Sequence, residues 1–388
     1  MRIAFYAPLK PPSHPTPSGD RRVARLLIEA LKLAGHEVEI ASRFRSLDTA
    51  GDAIRQERLK RRGAGIAERL IERYRQAPKG QRPALWFTYH LYYKAPDWLG
   101  PTVSSALGIP YVIAEASHAP KREAGPWAPG HEAVAGAVRR AACVFNLNPG
   151  DAECIAPLLD RTARQIALDP FLDTAPFRAA AAERGASRAA LARRTKLDPE
   201  CPWLLCVAMM RPGDKAASYR LLSEAIRRIA GRRWQLVVVG DGVSRSEIEP
   251  RLEDAAPGQV HFTGAVTGSD LPAIYAACDL FVWPAVNEAF GMAILEAQAT
   301  GLPVIAGASP GVAGIVTDGV TGQLVEADQP DRFADAVAEL LGDATKRTAM
   351  GDAALQKTAT RHGIESAAAR LEEALGKIVQ MATHQKAI

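Results

Sequence analysis

Asn287-Glu288-Ala289-Phe290-Gly291-Met292-Ala293-Ile294-Leu295-Glu296-Ala297-Gln298-Ala299-Thr300-Gly301 holds two glutamates eight positions apart, Glu288 and Glu296. Upstream, Leu280-Phe281-Val282-Trp283-Pro284 has the apolar density of a buried strand. Downstream, Thr300-Gly301 closes a helical run before a second apolar run, Leu302-Pro303-Val304-Ile305. The segment therefore predicts strand, loop and helix, with Glu288 in the loop and Glu296 inside the helix. Free N–H groups at a helix start attract anions. A carboxylate about two turns further on can accept hydrogen bonds from hydroxyls. Together they suit a ligand with phosphate at one end and sugar hydroxyls alongside.

Outward from this stretch, apolar strands alternate with helical patterns in both directions. In the first half, strands are expected at Arg2–Ala7, Glu37–Ala41, Ala84–Thr88, Tyr111–Glu115 and Ala142–Asn146, with helices at 20–34 and 100–107. Residues 174–201 are rich in alanine and arginine, break the rhythm and are expected to connect two domains. The rhythm restarts with strands at 203–209, 235–239, 259–262, 280–283, 303–306 and 322–325. Helices are expected at 219–230, 271–277 and 330–341. At 388 residues the chain is long for a single core. The expected architecture is α/β, with two doubly wound Rossmann-like domains, 1–173 and 174–364, facing a central cleft. Such sheets bind ligands beyond the carboxyl ends of their strands. A C-terminal helix over 365–388 either returns to the first domain or ends on the second.

Composition narrows the function classes. No apolar run reaches the ~20 residues that span a bilayer, and the short apolar start, Met1 to Pro8, does not read as a signal peptide. The five cysteines are odd in number and lack CxxC spacing, so neither a disulfide framework nor a zinc site is expected. A cytoplasmic chain with reduced cysteines is the expectation. The net charge of +5 is unevenly placed, with ten Lys/Arg against three Glu between Arg55 and Arg82. Ile66, Leu70 and Tyr74 share one helical stripe there. This pattern suits a basic amphipathic helix on an anionic membrane, at its inner face, and equally a helix docked on its own domain. No stacking aromatics interleave the basic residues, so nucleic acid is not an expected partner.

Candidate site residues sit where strands end. Arg211 and Lys215, after the first strand of the second half, could hold a diphosphate, one as a planar fork and one as a point charge; solvated loop cations are the competing reading. Gly240, in Gly240-Asp241-Gly242, allows close backbone approach to a ligand or simply a tight turn. Gly264 could let a nucleobase lie against the backbone, or end its strand. In the first half, Pro15 to Arg21 joins strand to helix, where Ser18 or Asp20 would cap and Gly19 permits close approach. His90 and His118 each follow a strand, in structural or catalytic roles. No metal constellation, D-x-D triplet or P-loop is present, and G-x-G-x-x-G is absent after the first strand, which argues against a nicotinamide dehydrogenase.

Taken together, these positions resemble the GT-B glycosyltransferases of family 4, the retaining group 1 class. The resemblance is strongest from about Val260 to Gly351, where F-T-G-A-V, C-D-L-F-V-W-P, N-E-A-F-G-M-A-I-L-E-A, G-L-P-V-I-A and G-V-T-G-Q-L-V follow the family's order. It implies a retaining, metal-independent enzyme moving a sugar from a nucleotide-diphosphate sugar to an acceptor hydroxyl on a glycan, a lipid-linked sugar or a small molecule. Glu288 would contact the donor sugar near the reacting carbon, and Glu296 the ribose hydroxyls. Phe290, Gly291 and Met292 would offer backbone N–H groups to the donor. Arg211 and Lys215 would neutralise the leaving diphosphate. His118 would face the donor sugar, and Gly19 would let its loop approach phosphate and acceptor, with Asp20 beside it. No cofactor or metal is implied. Two departures stand out: Gly19 is single where relatives carry a pair, and the Arg211–Lys215 gap is short. The stretch Lys121 to Trp127 follows no family pattern and, with His90, is assigned to acceptor recognition. Alternatives are a nucleotide-sugar epimerase or hydrolase on the same scaffold, and a non-catalytic scaffold that binds the nucleotide sugar.

Overall fold

A computed structural model describes residues 1–387 apart from 17, 196, 267, 269 and 327, and the side chains of 383 and 385–387 are also left aside. Pro17, in the loop after the first strand, and residue 388, the last of the expected C-terminal helix, lie outside the described residues. The chain divides into two compact units, Met1–Asp169 with Ile364–Ile388, and Pro170–Gly363.

Unit one runs β1 (Arg2–Tyr6), α1 (Gly19–Leu33), β2 (Glu37–Ser42), α2 (Ala53–Gln76), β3 (Leu85–Leu91), α3 (Gly100–Leu107), β4 (Tyr111–Ala116), α4 (Ala128–Arg140), β5 (Cys143–Asn146), α5 (Pro149–Ile155) and β6 (Arg164–Ala167). Its six strands are parallel, in the order β2-β1-β3-β4-β5-β6. Parallel neighbours need crossovers, which place helices on both faces and bury the strands. β4 is buried along its whole length. β6, with half-exposed Arg164, Gln165 and Ile166, lacks the apolar density that marked the other strands and was not expected from the sequence.

Unit two contains α6 (Ala175–Ala182), α7 (Arg184–Thr195), β7 (Trp203–Val207), α8 (Asp214–Ile229), β8 (Gln235–Val239), α9 (Arg245–Ala255), β9 (Val260–Gly264), α10 (Asp270–Ala277) and β10 (Leu280–Trp283). It continues with α11 (Met292–Ala299), β11 (Val304–Gly307), α12 (Pro310–Ala313), β12 (Gly322–Val325), α13 (Pro330–Gly342) and α14 (Ala344–Arg361). The sheet order is β12-β11-β10-β7-β8-β9, again all parallel. Each sheet therefore reverses its winding direction once, between β1 and β3 in unit one and between β7 and β10 in unit two. At such a switch point the flanking loops leave toward opposite faces and a crevice opens beyond the strand ends.

Three sequence expectations are refined. The last helix, α15 (Ile364–Ala387), packs on α1 and so lies in unit one. On α2, Leu70 and Tyr74 are buried and Ile66 and Ile71 half-buried against the unit one core. The apolar stripe is thus docked on its own domain, while all ten basic residues of the Arg55–Arg82 segment stay exposed. Among the described residues, no helix is long and apolar enough to cross a membrane.

The stretch from Thr174 to Cys201 is no mere connector. α6 and α7 pack on α10, and Arg188 anchors them. Its guanidinium donates to the carbonyls of Pro199, Cys201 and Ala277, pairs with Asp279 at 2.9 Å, and lies 4.0 Å from the Trp203 ring centre. The alanine-rich composition hid this role because, of these two helices, only Phe177 and Leu191 bury large apolar side chains, and arginine hydrogen bonds add to them. Replacing Arg188 by Ala leaves several carbonyls without donors, so unit two should lose about 2–3 kcal/mol in urea denaturation. Arg188→Lys should recover less than half, because a point charge does not reproduce the fork. An unchanged midpoint in Arg188→Ala would return these helices to the status of a linker.

Candidate active site

In unit two the switch point lies between β7 and β10, and the loops after those strands carry the expected residues. β7 runs into Met209-Met210-Arg211-Pro212-Gly213 before α8, whose second residue is Lys215. β10 runs into Pro284 to Gly291 before α11. Lys215 Nζ donates a short hydrogen bond to Glu288 Oε2 and stands 5.4 Å from the Trp283 ring centre. Trp283 Nε1 donates to the same carboxylate oxygen at 3.4 Å. The pair is partly exposed, 30% for Lys215 and 18% for Glu288, which leaves both groups accessible to a ligand.

The loop holding Glu288 is stitched down on two sides. Val286 N donates to Ser218 Oγ at 3.0 Å, and Asn287 Nδ2 to Asp214 Oδ1 at 2.9 Å, so the loop is tied to the first turns of α8. Ser309 Oγ donates to the Glu288 carbonyl at 3.1 Å. Ala285 and Asn287 adopt positive φ, 52° and 48°, a conformation that non-glycine residues visit rarely and that clusters at functional sites. α11 starts only at Met292, after Gly291 at φ 61°. Glu288 is therefore outside the helix and Glu296 inside it, as the sequence implies. Phe290 and Met292 are half-buried and Gly291 buried at this helix start, which carries no side-chain cap. Glu296 is 2% exposed and accepts from Tyr275 Oη at 2.8 Å.

The glycines divide by physical role. A Cβ on Gly240 would lie 1.9 Å from the Ala208 carbonyl oxygen, and one on Gly242 2.2 Å from that of Met210. These glycines let β8's loop press against the backbone that leads to Arg211, which favours the tight-turn reading. Gly264 has φ 71°, and its Cβ position meets only an arginine nitrogen at 3.8 Å, leaving room beside the backbone.

In unit one the switch point lies between β1 and β3, and again one residue from each loop meets. Ser18 caps α1 by accepting from Arg21 N, which frees Asp20 for another contact. Asp20 Oδ1 lies 2.9 Å from His90 Nδ1. Gly19 has nothing within 4 Å of its Cβ position, so packing does not require glycine there. His90 takes φ 55° within β3. Burial would lower its pKa, yet the Asp20 hydrogen bond and the charges of Asp20, Glu115 and Asp151 outweigh this and raise it. Asp20 moves the other way: burial opposes ionisation, and the His90 contact more than compensates. His118, after β4, packs on His131 with ring centres 4.4 Å apart and the planes tilted by 32°. Burial first, then the neighbouring His131 and Arg139, lower its pKa and favour the neutral ring.

Two carboxyl groups here were missed by sequence reasoning. Glu115 is 3% exposed, at φ 64°, and accepts from Leu147 N at 3.2 Å. Burial pushes its pKa up to about 7, with His90 pulling it down and Asp151 pushing it further up. Asp151, in the first turn of α5, is raised by burial against a hydrogen bond from Ser117. The only sequence signal was a charged residue closing an apolar strand. A carboxyl with a folded pKa above its unfolded value binds its proton more tightly when folded. The contribution of Glu115 to stability is therefore greatest below about pH 4.5 and falls as pH rises to about 7. Glu115→Gln should be no more stable than wild type at pH 4 and up to about 3 kcal/mol more stable at pH 8, measured by urea denaturation across pH. A difference that does not change with pH would refute this account.

Residues 201–343 match the sequence family described as glycosyl transferases, group 1. A GDP-mannose-dependent alpha-(1-6)-phosphatidylinositol monomannoside mannosyltransferase of Mycobacterium tuberculosis is 35% identical over 217 residues, 54% of this chain and 54% of that protein. A D-inositol 3-phosphate glycosyltransferase of Corynebacterium aurimucosum is 36% identical over 159 residues, 39% of this chain and 37% of that protein. The chain spans about half the length, or less, of these curated relatives. Among solved structures, sucrose-phosphate synthase of Thermosynechococcus elongatus superposes with a TM-score of 0.70 at 20% identity, covering 98% of this chain and 99% of that one. Anabaena HepE in complex with UDP gives 0.73 at 15% identity, covering 97% and 100%. Residues 201–343 therefore match the group 1 glycosyl transferases, and the chain that carries them has the GT-B fold.

Proposed function

We propose that this protein is a retaining, metal-independent family 4 glycosyltransferase that moves a sugar from a nucleotide-diphosphate sugar to an acceptor hydroxyl. The observation that carries the reading is the Lys215–Glu288 pair across the unit two switch point, inside the segment that matches the group 1 transferases. In this reading the diphosphate lies over the start of α11 and takes hydrogen bonds from the N–H groups of Phe290, Gly291 and Met292. Arg211 and Lys215 offset the charge that builds on it as the glycosidic bond breaks. Glu288 accepts from donor-sugar hydroxyls, and Glu296 from the ribose. Gly264 borders the base. The family resemblance assigns His118 to the donor sugar, and Gly19, Asp20 and His90 to the acceptor.

The bond from the anomeric carbon to the leaving phosphate oxygen breaks, and a bond to the acceptor oxygen forms on the same face. The acceptor proton passes to the leaving phosphate. Glu288 has no nucleophilic role in this reading, and its Oε2 is held by Lys215 and Trp283. The named donors among relatives and neighbours include GDP-mannose and UDP-glucose, so the base is a matter for experiment.

A thermal-shift screen with UDP, GDP, ADP and dTDP should single out one nucleotide, because a ligand bound only by the folded state raises apparent stability. With the matching donor, Glu296→Ala should raise donor Kd and Glu288→Ala should mainly lower kcat. Small and equal effects would sink the assignment. Free sugar or an epimer formed from donor alone would favour a hydrolase or epimerase, and unaltered donor under all conditions a binding scaffold. Lys215→Met and Glu288→Gln should also combine non-additively, with a coupling of about 0.5–3 kcal/mol in kcat/KM. Strict additivity would mean that their contact has no part in the reaction.

A further inference from the structure

The stretch Lys121 to Trp127, which follows no family pattern, meets the loop after β3 in unit one. Tyr93 and Trp127 pack edge to face at 5.7 Å. Two cations address this same ring pair. Lys94 Nζ stands 5.8 Å from the Tyr93 centre and 5.1 Å from that of Trp127. The Arg122 guanidinium stands 5.4 Å and 5.2 Å from the same centres. Neither side chain has an ion-pair or hydrogen-bond partner among the described residues. Arg122 Nε and Trp127 Nε1 are both buried N–H donors without an acceptor, and His131 Nε2, on α4, is likewise without a partner.

The surrounding charges do not supply the missing acceptor. Asp48 is closest along the backbone, its N–H donating to the Lys94 carbonyl at 2.8 Å. Its carboxylate is already taken by Ala50 N, Asp52 N, Gln56 Nε2 and Arg55. Glu123 is exposed and acts on His118. Lys121 and Arg139 add further positive charge.

The arrangement is held in place rather than loose. Gln56 Nε2 donates to the Pro126 carbonyl at 2.8 Å, fixing the approach to Trp127. The β3 loop is pinned by buried Asp97, which accepts from Leu99 N, Gly100 N, Thr88 Oγ1 and Tyr111 Oη. Each cation gains from the rings, yet both lack an anionic partner and two N–H donors beside them stay unmet, which an anion with several oxygens would remedy. A buried donor left unsatisfied has a definite cost, and a guanidinium fork matches a phosphate's geometry.

We propose that Tyr93, Lys94, Arg122 and Trp127 form a binding site for a phosphate ester; its assignment to the acceptor substrate rests on the transferase reading above. The ester belongs either to a soluble phosphorylated polyol or to a lipid headgroup. Both present the same oxygens to Lys94 Nζ and the Arg122 guanidinium, and contact with the buried Arg122 Nε and Trp127 Nε1 requires these donors to open toward the ester.

Calorimetry with sn-glycerol 3-phosphate, and flotation on phosphatidylcholine vesicles with and without phosphatidylinositol, separate the two sources. Each is run with the stabilising nucleoside diphosphate present, so that donor-phosphate contacts are already occupied. The Lys94→Gln, Arg122→Gln double variant should keep the wild-type melting temperature and weaken binding by about tenfold or more. Trp127→Phe, which keeps the ring and removes the donor, should weaken it less. Saturable glycerol 3-phosphate binding that the double variant loses assigns a soluble ester. Phosphatidylinositol-dependent flotation that it loses, without glycerol 3-phosphate binding, assigns a lipid. Binding undiminished in the double variant, or no binding of either probe, overturns the site. Failure of every nucleotide to stabilise the wild type would instead strike the transferase reading, and the two phosphate probes alone would then decide the anion site.

Discussion

Each sheet of this protein reverses direction once, and that reversal governs where chemistry can occur. Right-handed crossovers send the connections on either side of the reversal to opposite faces of the sheet. The loops beyond the two strand ends are then free to carry polar groups toward each other. In unit two they bring Lys215 to Glu288, and in unit one Asp20 to His90. Each pair joins residues about 70 positions apart in sequence, and each holds a conformation that needs support from its surroundings: positive φ at Ala285 and Asn287, and at His90.

The two pairs differ in electrostatic character. In unit two the groups are accessible, and the carboxylate is shared between a cation and an indole N–H. In unit one, burial dominates. Glu115, Asp151 and His90 compete for few protons, and burial holds both carboxyl groups above their ordinary range. Glu115, with its pKa pushed up to about 7, makes this a site that changes its charge near neutrality. In the same unit, Lys94 and Arg122 bring positive charge to the Tyr93 and Trp127 rings.

Much of this was legible in the sequence, for a definable reason. Strands buried on both faces read as apolar runs, so most strands of both sheets could be placed, together with the unit two motif from Glu288 to Glu296. β6 escaped because Arg164 and Gln165 leave it too short an apolar run. α6 and α7 read as a connection because their apolar contacts are few, Phe177 on Tyr275 and buried Leu191, and arginine hydrogen bonds supply much of the rest. Glu115 was visible only as a polar residue closing a strand, since burial and backbone conformation make it unusual, and neither is written in its neighbours. The basic α2 segment allowed two readings of its apolar stripe, which packing resolved in favour of the unit one core.

The sequence by itself determined the α/β alternation, the class of the second unit and the residues offered at its strand ends, because these depend on local periodicity and on a motif read in order. Only the tertiary structure decided which strand ends are neighbours. Strand order is set by long-range pairing and crossover handedness, and so fixed that Lys215 meets Glu288, that His90 meets Asp20, and that Arg122 shares its rings with Lys94. It also decided that the glycines at 240 and 242 serve contact between two loops, since only a fold shows what a missing Cβ makes room for.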